Sequence, residues 1–547
     1  MNDEYISKSV KEKLRLAERG DLFSCFTVGN YYIDGKTFDE DEKKSNEYFS
    51  KVADELYSAN IRVKSLELYD YKKFEKVNLS LSKKQTTILI GSNGSGKSTI
   101  LEGLAKTLQF LVDNLRVRNN NHYKFDDDEI NVNTKNKYSI IKCNLTLNDE
   151  YSFSCSLTNN YENVARKVQS ELEQFKLLGA MHQEADRLRG DDFPYPLFAY
   201  YPIERTLLIK RDEVERKQSK RSRKSIFNKI EGLNKAFDGS SNFDTFFGWY
   251  KEVDDILNEQ SSKKKLSPDD IREILLKAEL EKSLKKDTSA EDLSEIISSL
   301  FNSEAPTANS TLAKKLEKNA KVIVDAIKNF LTDVQDVEIT RIPALDMYIK
   351  SNDLRLSVFN MSQGEKTLLA LISDIARRLV TLNPNSEEPL KGKGVVLIDE
   401  LDLHLHPQWQ RTIIKNLERT FPNIQFIIST HSPLILTTVT SEQIKILTDE
   451  VNIHEIKSPK LNPFGKVSSE ALAIMNTPEK PEIDLELSDL INKYEELVKL
   501  GLEDSDEANA VLAALQNTGY SIDESQLELW RFIASNAELF EDSEGGK

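Results

Sequence analysis

Residues Gly91 to Ser98 read GSNGSGKS, a Gly-x4-Gly-Lys-Ser pattern between an apolar run and a helical one. Glycines let backbone N–H groups curl around an anion, lysine adds positive charge, and a hydroxyl suits a hard divalent cation. That is the chemistry of a bound nucleoside triphosphate. Gly91, Ser92, Asn93, Gly94, Ser95 and Gly96 are expected to cradle the β-phosphate, and Lys97 to neutralise β- and γ-oxygens. Ser98 offers its hydroxyl to Mg²⁺, and Thr99 opens the helix TILEGLAKTL, whose N-terminus adds a field favourable to anions.

Three further stretches fit the same substrate. In VVLIDELDLHLHP, Asp399 and Glu400 follow four apolar residues and fall at a strand's carboxyl end, where open α/β sheets place ligands. Asp399 is expected to hold Mg²⁺, and Glu400 to take the proton of an attacking water. In FIISTHSP, His431 follows another buried strand by two residues, within hydrogen-bonding reach of a γ-phosphate. His404 and His406 stand two apart without a cysteine or a third well-spaced ligand, so a structural role in the loop after Glu400 is expected rather than zinc.

The last stretch is FNMSQGEKTLLAL, Phe359 to Leu371. Ser362 and Glu365 form a Ser-x-x-Glu capping box before an apolar-striped helix. Ser362, Gln363, Gly364 and Glu365 therefore make a second anion site. Gly91 to Ser98 already encloses the phosphates of its own chain, so the expected client is the γ-phosphate held by another copy.

Positioning these loops takes strands. IRVKSLELYDYKKFEKVNLSL alternates with period two, QTTILI reads as a buried strand, and Tyr138 to Thr158 as a hairpin turning at Asn148-Asp149. VVLIDE, the helix PQWQRTIIKNLERTF and IQFIISTH form a strand–helix–strand unit with apolar strands typical of a parallel sheet. Five pieces follow: a helical extension (1–59), a lobe with the phosphate loop and antiparallel strands (60–162), a helical insertion (163–336), a second lobe (337–455) and a helical acidic end (456–547). FPYPLFAYYPIERTLLI, inside the insertion, is a candidate returning strand. The fold class is α/β, a mixed sheet in two lobes.

In order and context these elements resemble the ATP-binding-cassette ATPases. DELDLHLHP and STHSP narrow the resemblance to the soluble branch with a helical insertion, which includes RecF-, SMC- and OLD-type ATPases. It covers Ile61 to Glu455. It implies an ABC-type head that binds ATP and Mg²⁺ as a homodimer, each nucleotide lying between the loop of Lys97 on one head and Ser362–Gly364 of the other. It also implies that Asp402 belongs to a loop communicating across the dimer. Gln363 departs from the glycine usual in transporters, and the family's magnesium-sensing glutamine has no assigned residue. Arg205 is a candidate contact for phosphate or nucleic acid.

Ala17, Gly20, Gly29, Tyr32, Gly35, Asp41 and Ala53 resemble one Sel1-like repeat, a relative of the tetratricopeptide repeat. Taken whole, the chain is similar to the PtuA-type ATPases of antiphage defence, in their retron-associated form. That resemblance implies an HNH nuclease partner, PtuB, a reverse transcriptase with its msDNA (an RNA/DNA hybrid), and an ATP state that restrains the nuclease. An SMC/RecF-like DNA-repair clamp is the alternative, although the insertion is too short and irregular for a long coiled coil.

Bulk properties agree. The 547 residues are 39% hydrophobic and 30% charged, with no apolar run of the ~20 residues a membrane span needs. The start, MNDEYISKSVKEKL, has no signal-peptide core, and Cys25, Cys143 and Cys155 suit a reducing cytoplasm. A net charge of −16 argues against coating of nucleic acid, while Ile209 to Lys229 forms a local basic stretch. Six histidines are too few and badly placed for an HNH centre, so the chain is expected to carry no nuclease site.

Overall fold

The computed structural model describes residues 7–123, 125–134, 136–161, 167–203, 228–238, 243–263, 308–331, 334–342, 344–351, 354–453, 455–460, 462–465 and 485–517, with 522, 527 and 531. Arg205, residues 209–227 of the basic stretch and residues 264–307 of the expected insertion lie outside them. The chain divides into two units, Met1–Ala471 and Leu472–Lys547. No helix among the described residues is long and apolar enough to cross a membrane.

The first unit opens with helices Lys8–Glu18, Leu22–Asp34 and Glu42–Ser58. Asp21 and Asp41 cap the second and third by accepting from the Ser24 and Lys44 N–H groups at 2.8 and 3.0 Å. Gly29 lets the pair close up, since a Cβ there would stand 2.5 Å from the Phe49 ring.

Three sheets follow. The first is ordered β13-β2-β1-β4-β5, from β1 (Ile61–Tyr71), β2 (Phe74–Ser80), β4 (Tyr138–Leu147), β5 (Tyr151–Asn160) and β13 (Asn452–Ile453). Asn148 and Asp149, both at positive φ, form the tight β4–β5 turn. The second is parallel throughout and ordered β12-β3-β11-β10-β6, from β3 (Thr86–Ile90), β6 (Leu197–Tyr201), β10 (Gly394–Ile398), β11 (Ile424–Ser429) and β12 (Ile444–Ile446). Every residue of β3, β6, β10 and β11 is buried. Each Val, Leu or Ile so enclosed contributes about 1.5–3 kcal/mol relative to exposure. The third sheet is β7 (Asp336–Thr340), β8 (Asp346–Ser351) and β9 (Leu354–Ser357), antiparallel.

Two findings go beyond the sequence reading. β6 comes from the run read as a returning strand within residues 163–336, and it belongs to the second, parallel sheet, with Tyr201 opposite Ile398. A five-residue apolar strand between prolines carries no periodic signal of which sheet it joins. The second is a clamp between sheets. The pairing of β1 with β4 slips between Val63 and Ser65, and there the buried Gln425 of β11 completes the ladder. It accepts from the Val63 N–H at 2.7 Å and donates to the Val63 carbonyl at 3.0 Å.

Helix Gln363–Leu382 packs against β6 and against helices Phe243–Lys263 and Ala308–Lys328. In the second unit, helices Leu485–Lys499 and Asp506–Asn517 close around Ile491, Tyr494, Val498, Val511 and Leu515.

His182, in helix Glu173–Arg189, is buried with its Nδ1 2.8 Å from the Leu178 carbonyl, so Nδ1 carries the proton of a neutral ring. Burial pushes its pKa down to about 4. The unfolded chain, with an ordinary histidine, binds a proton below pH ~6.5 that the folded state refuses. Stability is therefore unaffected above that pH and falls by roughly 3 kcal/mol as pH drops toward 4. His182→Gln is expected to flatten the pH dependence of the melting temperature between pH 6.5 and 4; an unchanged slope would contradict the assignment.

Candidate nucleotide site

β3, β11 and β10 are neighbours, with Leu89 opposite Ser429 and Ile428 opposite Ile398. Parallel strands lie ~4.8 Å apart. The residues that follow them, Gly91, His431 and Asp399–Glu400, therefore emerge side by side at one level.

The loop after β3 owes its path to glycine. Gly94 and Gly96 have φ of 80° and 100°, and a Cβ on Gly96 would collide with the Phe74 ring. Lys97 is buried and folds back across the loop, Nζ donating to the carbonyls of Gly91 and Ser92 at 3.0 and 3.1 Å. Burial lowers its pKa, opposed by Glu400, Asp399, Asp402 and Asp449. The Ser95 hydroxyl is buried without a protein partner. A buried ammonium, an unsatisfied hydroxyl and left-handed glycines fit a polyphosphate. Ser98 and Asp399 supply the oxygen donors that Mg²⁺ prefers.

The Ser429 hydroxyl organises the carboxylates. It donates to Asp399 Oδ1 and accepts from the Glu400 N–H, the latter at 2.8 Å. Asp399 is 2% exposed. Glu400 adopts φ 46°, a left-handed conformation that costs a non-glycine residue about 1 kcal/mol or more and points to a functional site. Its Oε1 lies 3.3 Å from His431 Nε2. Burial, then the Lys97 ammonium, lowers the His431 pKa against Asp402 and Asp399. That direction leaves the ring neutral near pH 7.

Asp402 accepts from the Thr430 hydroxyl and from the His431 N–H, the latter at 3.2 Å. Its carboxylate anchors the histidine loop of its own chain. The capping box forms as expected: the Glu365 N–H donates to Ser362 Oγ at 3.3 Å, and the Ser362 N–H to Glu365 Oε2 at 2.8 Å. Two details differ from the open anion site of the sequence reading. The Ser362 hydroxyl is engaged by Glu365 Oε2 at 2.6 Å, and the bare face of Gly364 is turned to the His404 carbonyl, with which a Cβ would collide. His404, at φ 64°, brings the loop from Glu400 against the helix start. Gln363 is the first residue of that helix.

His406 caps helix Pro407–Gln410, its Nδ1 accepting from the Gln408 N–H at 3.4 Å. Among the described residues no three His, Cys, Asp or Glu side chains are grouped to hold a metal. The sequence reading missed three residues at the loop. Ser429 is one. Lys73, in the β1–β2 turn, donates to the Gly94 carbonyl at 2.6 Å, and Asp449 accepts from the Ser92 hydroxyl at 2.6 Å. Ser429 was discoverable as the strand end preceding Thr430-His431; the other two arrive through long-range pairing. Glu400→Gln is expected to retain ATP binding while turnover falls at least ~100-fold, the usual contribution of a general base. Phosphate release beside nucleotide titration checks it.

Residues 86–437 match the family described as "AAA domain, putative AbiEii toxin, Type IV TA system". The chain is 51% identical over 504 residues to "Retron Vc95 probable ATPase" of Vibrio cholerae serotype O1 biovar El Tor, covering 91% of this chain and 95% of that one. It is 32% identical over 546 residues to "Retron Ec83 probable ATPase" of Escherichia coli, covering 96% and 97%. "Septu protein PtuA" of Bacillus mycoides (strain KBAB4) matches at 31% over 141 residues, 25% of this chain and 18% of that one. Likeness across almost the whole length, on a chain that carries the phosphate loop, the carboxylate pair and the histidine at one sheet edge, makes this protein a member of the retron ATPases, of PtuA type.

Proposed function

We propose that the protein is the ATP-hydrolysing regulatory subunit of an antiphage retron complex, and that two copies turn over ATP in shared sites. Each site takes the loop Gly91 to Ser98 of one copy and the helix start Ser362 to Glu365 of the other. The observation that carries this reading is the contact of Gly364 with the His404 carbonyl. It sets a half-exposed, capped helix N-terminus beside the loop that runs from Glu400, on a surface a second copy can meet. An isologous pairing then closes both sites at once.

Within a site, Lys97 leaves the Gly91 and Ser92 carbonyls for phosphate oxygens, and Ser95 gains an acceptor for its buried hydroxyl. Ser98 and Asp399 are the residues to hold Mg²⁺, which supplies charge neutralisation at the phosphates. Glu400 orients and deprotonates water, held in place by the Ser429 hydroxyl beneath its N–H and by His431 beside its carboxylate. His431 reads the terminal phosphate.

For assembly, the relatives named as retron ATPases support partners within a retron system; an HNH nuclease of PtuB type and a reverse transcriptase with msDNA, in the cytoplasm, are the ones proposed. The helical unit from Leu472 is the proposed nuclease dock, and the three N-terminal helices a Sel1-like contact surface. The five pieces of the sequence reading stand as the proposed domains, with β6 assigned to the sheet.

Lys97→Ala is expected to lose nucleotide binding, and Ser362→Arg to keep binding but lose turnover. Mixed in equal amounts they should regain about a quarter of wild-type activity, since half the dimers carry one intact site of two. A mixture as inactive as its parts would overturn the shared site. For the partners, native mass spectrometry of the complex purified with its neighbouring gene products is expected to show at least two copies bound to nuclease and reverse transcriptase. The ATPase running alone would refute that assembly.

A further inference from the structure

Between the capped helix and the end of β6 lies a group of four residues, none more than 3% exposed: Tyr201, Asp374, Arg377 and Arg378. The Tyr201 phenol donates to Asp374 Oδ2 at 2.9 Å. Arg377 Nη2 donates to Asp374 Oδ1 and Arg378 Nε to Oδ2, both at 2.7 Å. Arg378 Nη1 continues to the carbonyls of Gly232 and Asn234 at 2.8 and 3.0 Å. Burial works to raise the Asp374 pKa, but the two guanidinium groups outweigh it and keep the carboxyl ionised.

Stability does not demand such a group, because apolar side chains of similar volume fill a core as well or better. What hydrogen-bonded charges add is one fixed direction and register. Here both ends of that register are functional. Tyr201 closes β6, and its backbone carbonyl accepts from the Asp399 N–H at 2.8 Å. The residue whose phenol grips the helix therefore also sets the backbone of the carboxylate pair. Ser362 lies twelve residues before Asp374 on the same helix, ~18 Å at ~1.5 Å per residue. At that far end Gly364 rests on His404. The helix is thus tied at two points to the chain that carries Asp399 and Glu400.

We propose that Tyr201 and Asp374 are positioning residues for ATP hydrolysis: they lock the capped helix to the strand end, coupling closure of Ser362–Glu365 over one nucleotide to alignment of Glu400 on the other. The proposal rests on the shared-site reading above. Tyr201→Phe, which removes one hydroxyl, is expected to lower kcat about tenfold in the full-length protein with KM for ATP within about twofold. Replacing Asp374 by Leu together with Arg377 and Arg378 by Met leaves the Tyr201 phenol and the Gly232 and Asn234 carbonyls without their partners, so the triple variant should melt somewhat below the wild-type temperature and, where its melt stays cooperative, keep the low kcat. Wild-type kcat in Tyr201→Phe or in the folded triple variant overturns the proposal, as does a KM that rises in step with the loss. Ser362→Arg with wild-type turnover overturns the shared site itself, and the proposal with it.

Discussion

The site depends on one constraint: β11 pairs in parallel with β3 on one side and β10 on the other. Parallel pairing sends all three strands out of the sheet at the same edge, so the phosphate loop, the histidine and the carboxylates meet without any loop reaching far. A slip of one residue would turn every side chain to the opposite face. It would also part the Ser429 hydroxyl from Asp399 and from the Glu400 N–H. That single hydroxyl, shared between neighbouring strands, converts register into the placement of Asp399 and Glu400.

Charge sets the second requirement. Lys97 sits among Asp399, Glu400, Asp402 and Asp449, and its ammonium rests on loop carbonyls. A triphosphate would add more negative charge to this cluster, which is why the proposed site pairs the Lys97 ammonium with Mg²⁺. Glu400 is held in a left-handed conformation by the turn that also places His404. Strain of that kind persists only where the surroundings over-determine it. The Ser429 and His431 contacts do so here.

The capped helix links these parts. At its start, a glycine is needed because the His404 backbone leaves no room for a side chain. Deeper in, a carboxylate between two arginines and a tyrosine fixes its register in a place where leucine would pack. Removing one partner from such a group leaves an uncompensated buried charge, which penalises any other helix position.

Contiguous residues sufficed to read GSNGSGKS, the apolar strand ending in Asp399-Glu400, His431 beyond its strand, and the Ser362–Glu365 capping box. Each is a local pattern of dihedral freedom, charge and period, and each formed as such. The β4–β5 hairpin with its Asn148-Asp149 turn was legible for the same reason. Neighbourhood was not. That β6 stands beside β10, that Ser429 bridges two carboxylate positions, that Lys73 and Asp449 flank the loop, and that Gly364 backs onto the His404 carbonyl were decided only by the tertiary structure. Such contacts join residues tens to hundreds of positions apart, and no local period or propensity records which distant backbone a side chain will meet.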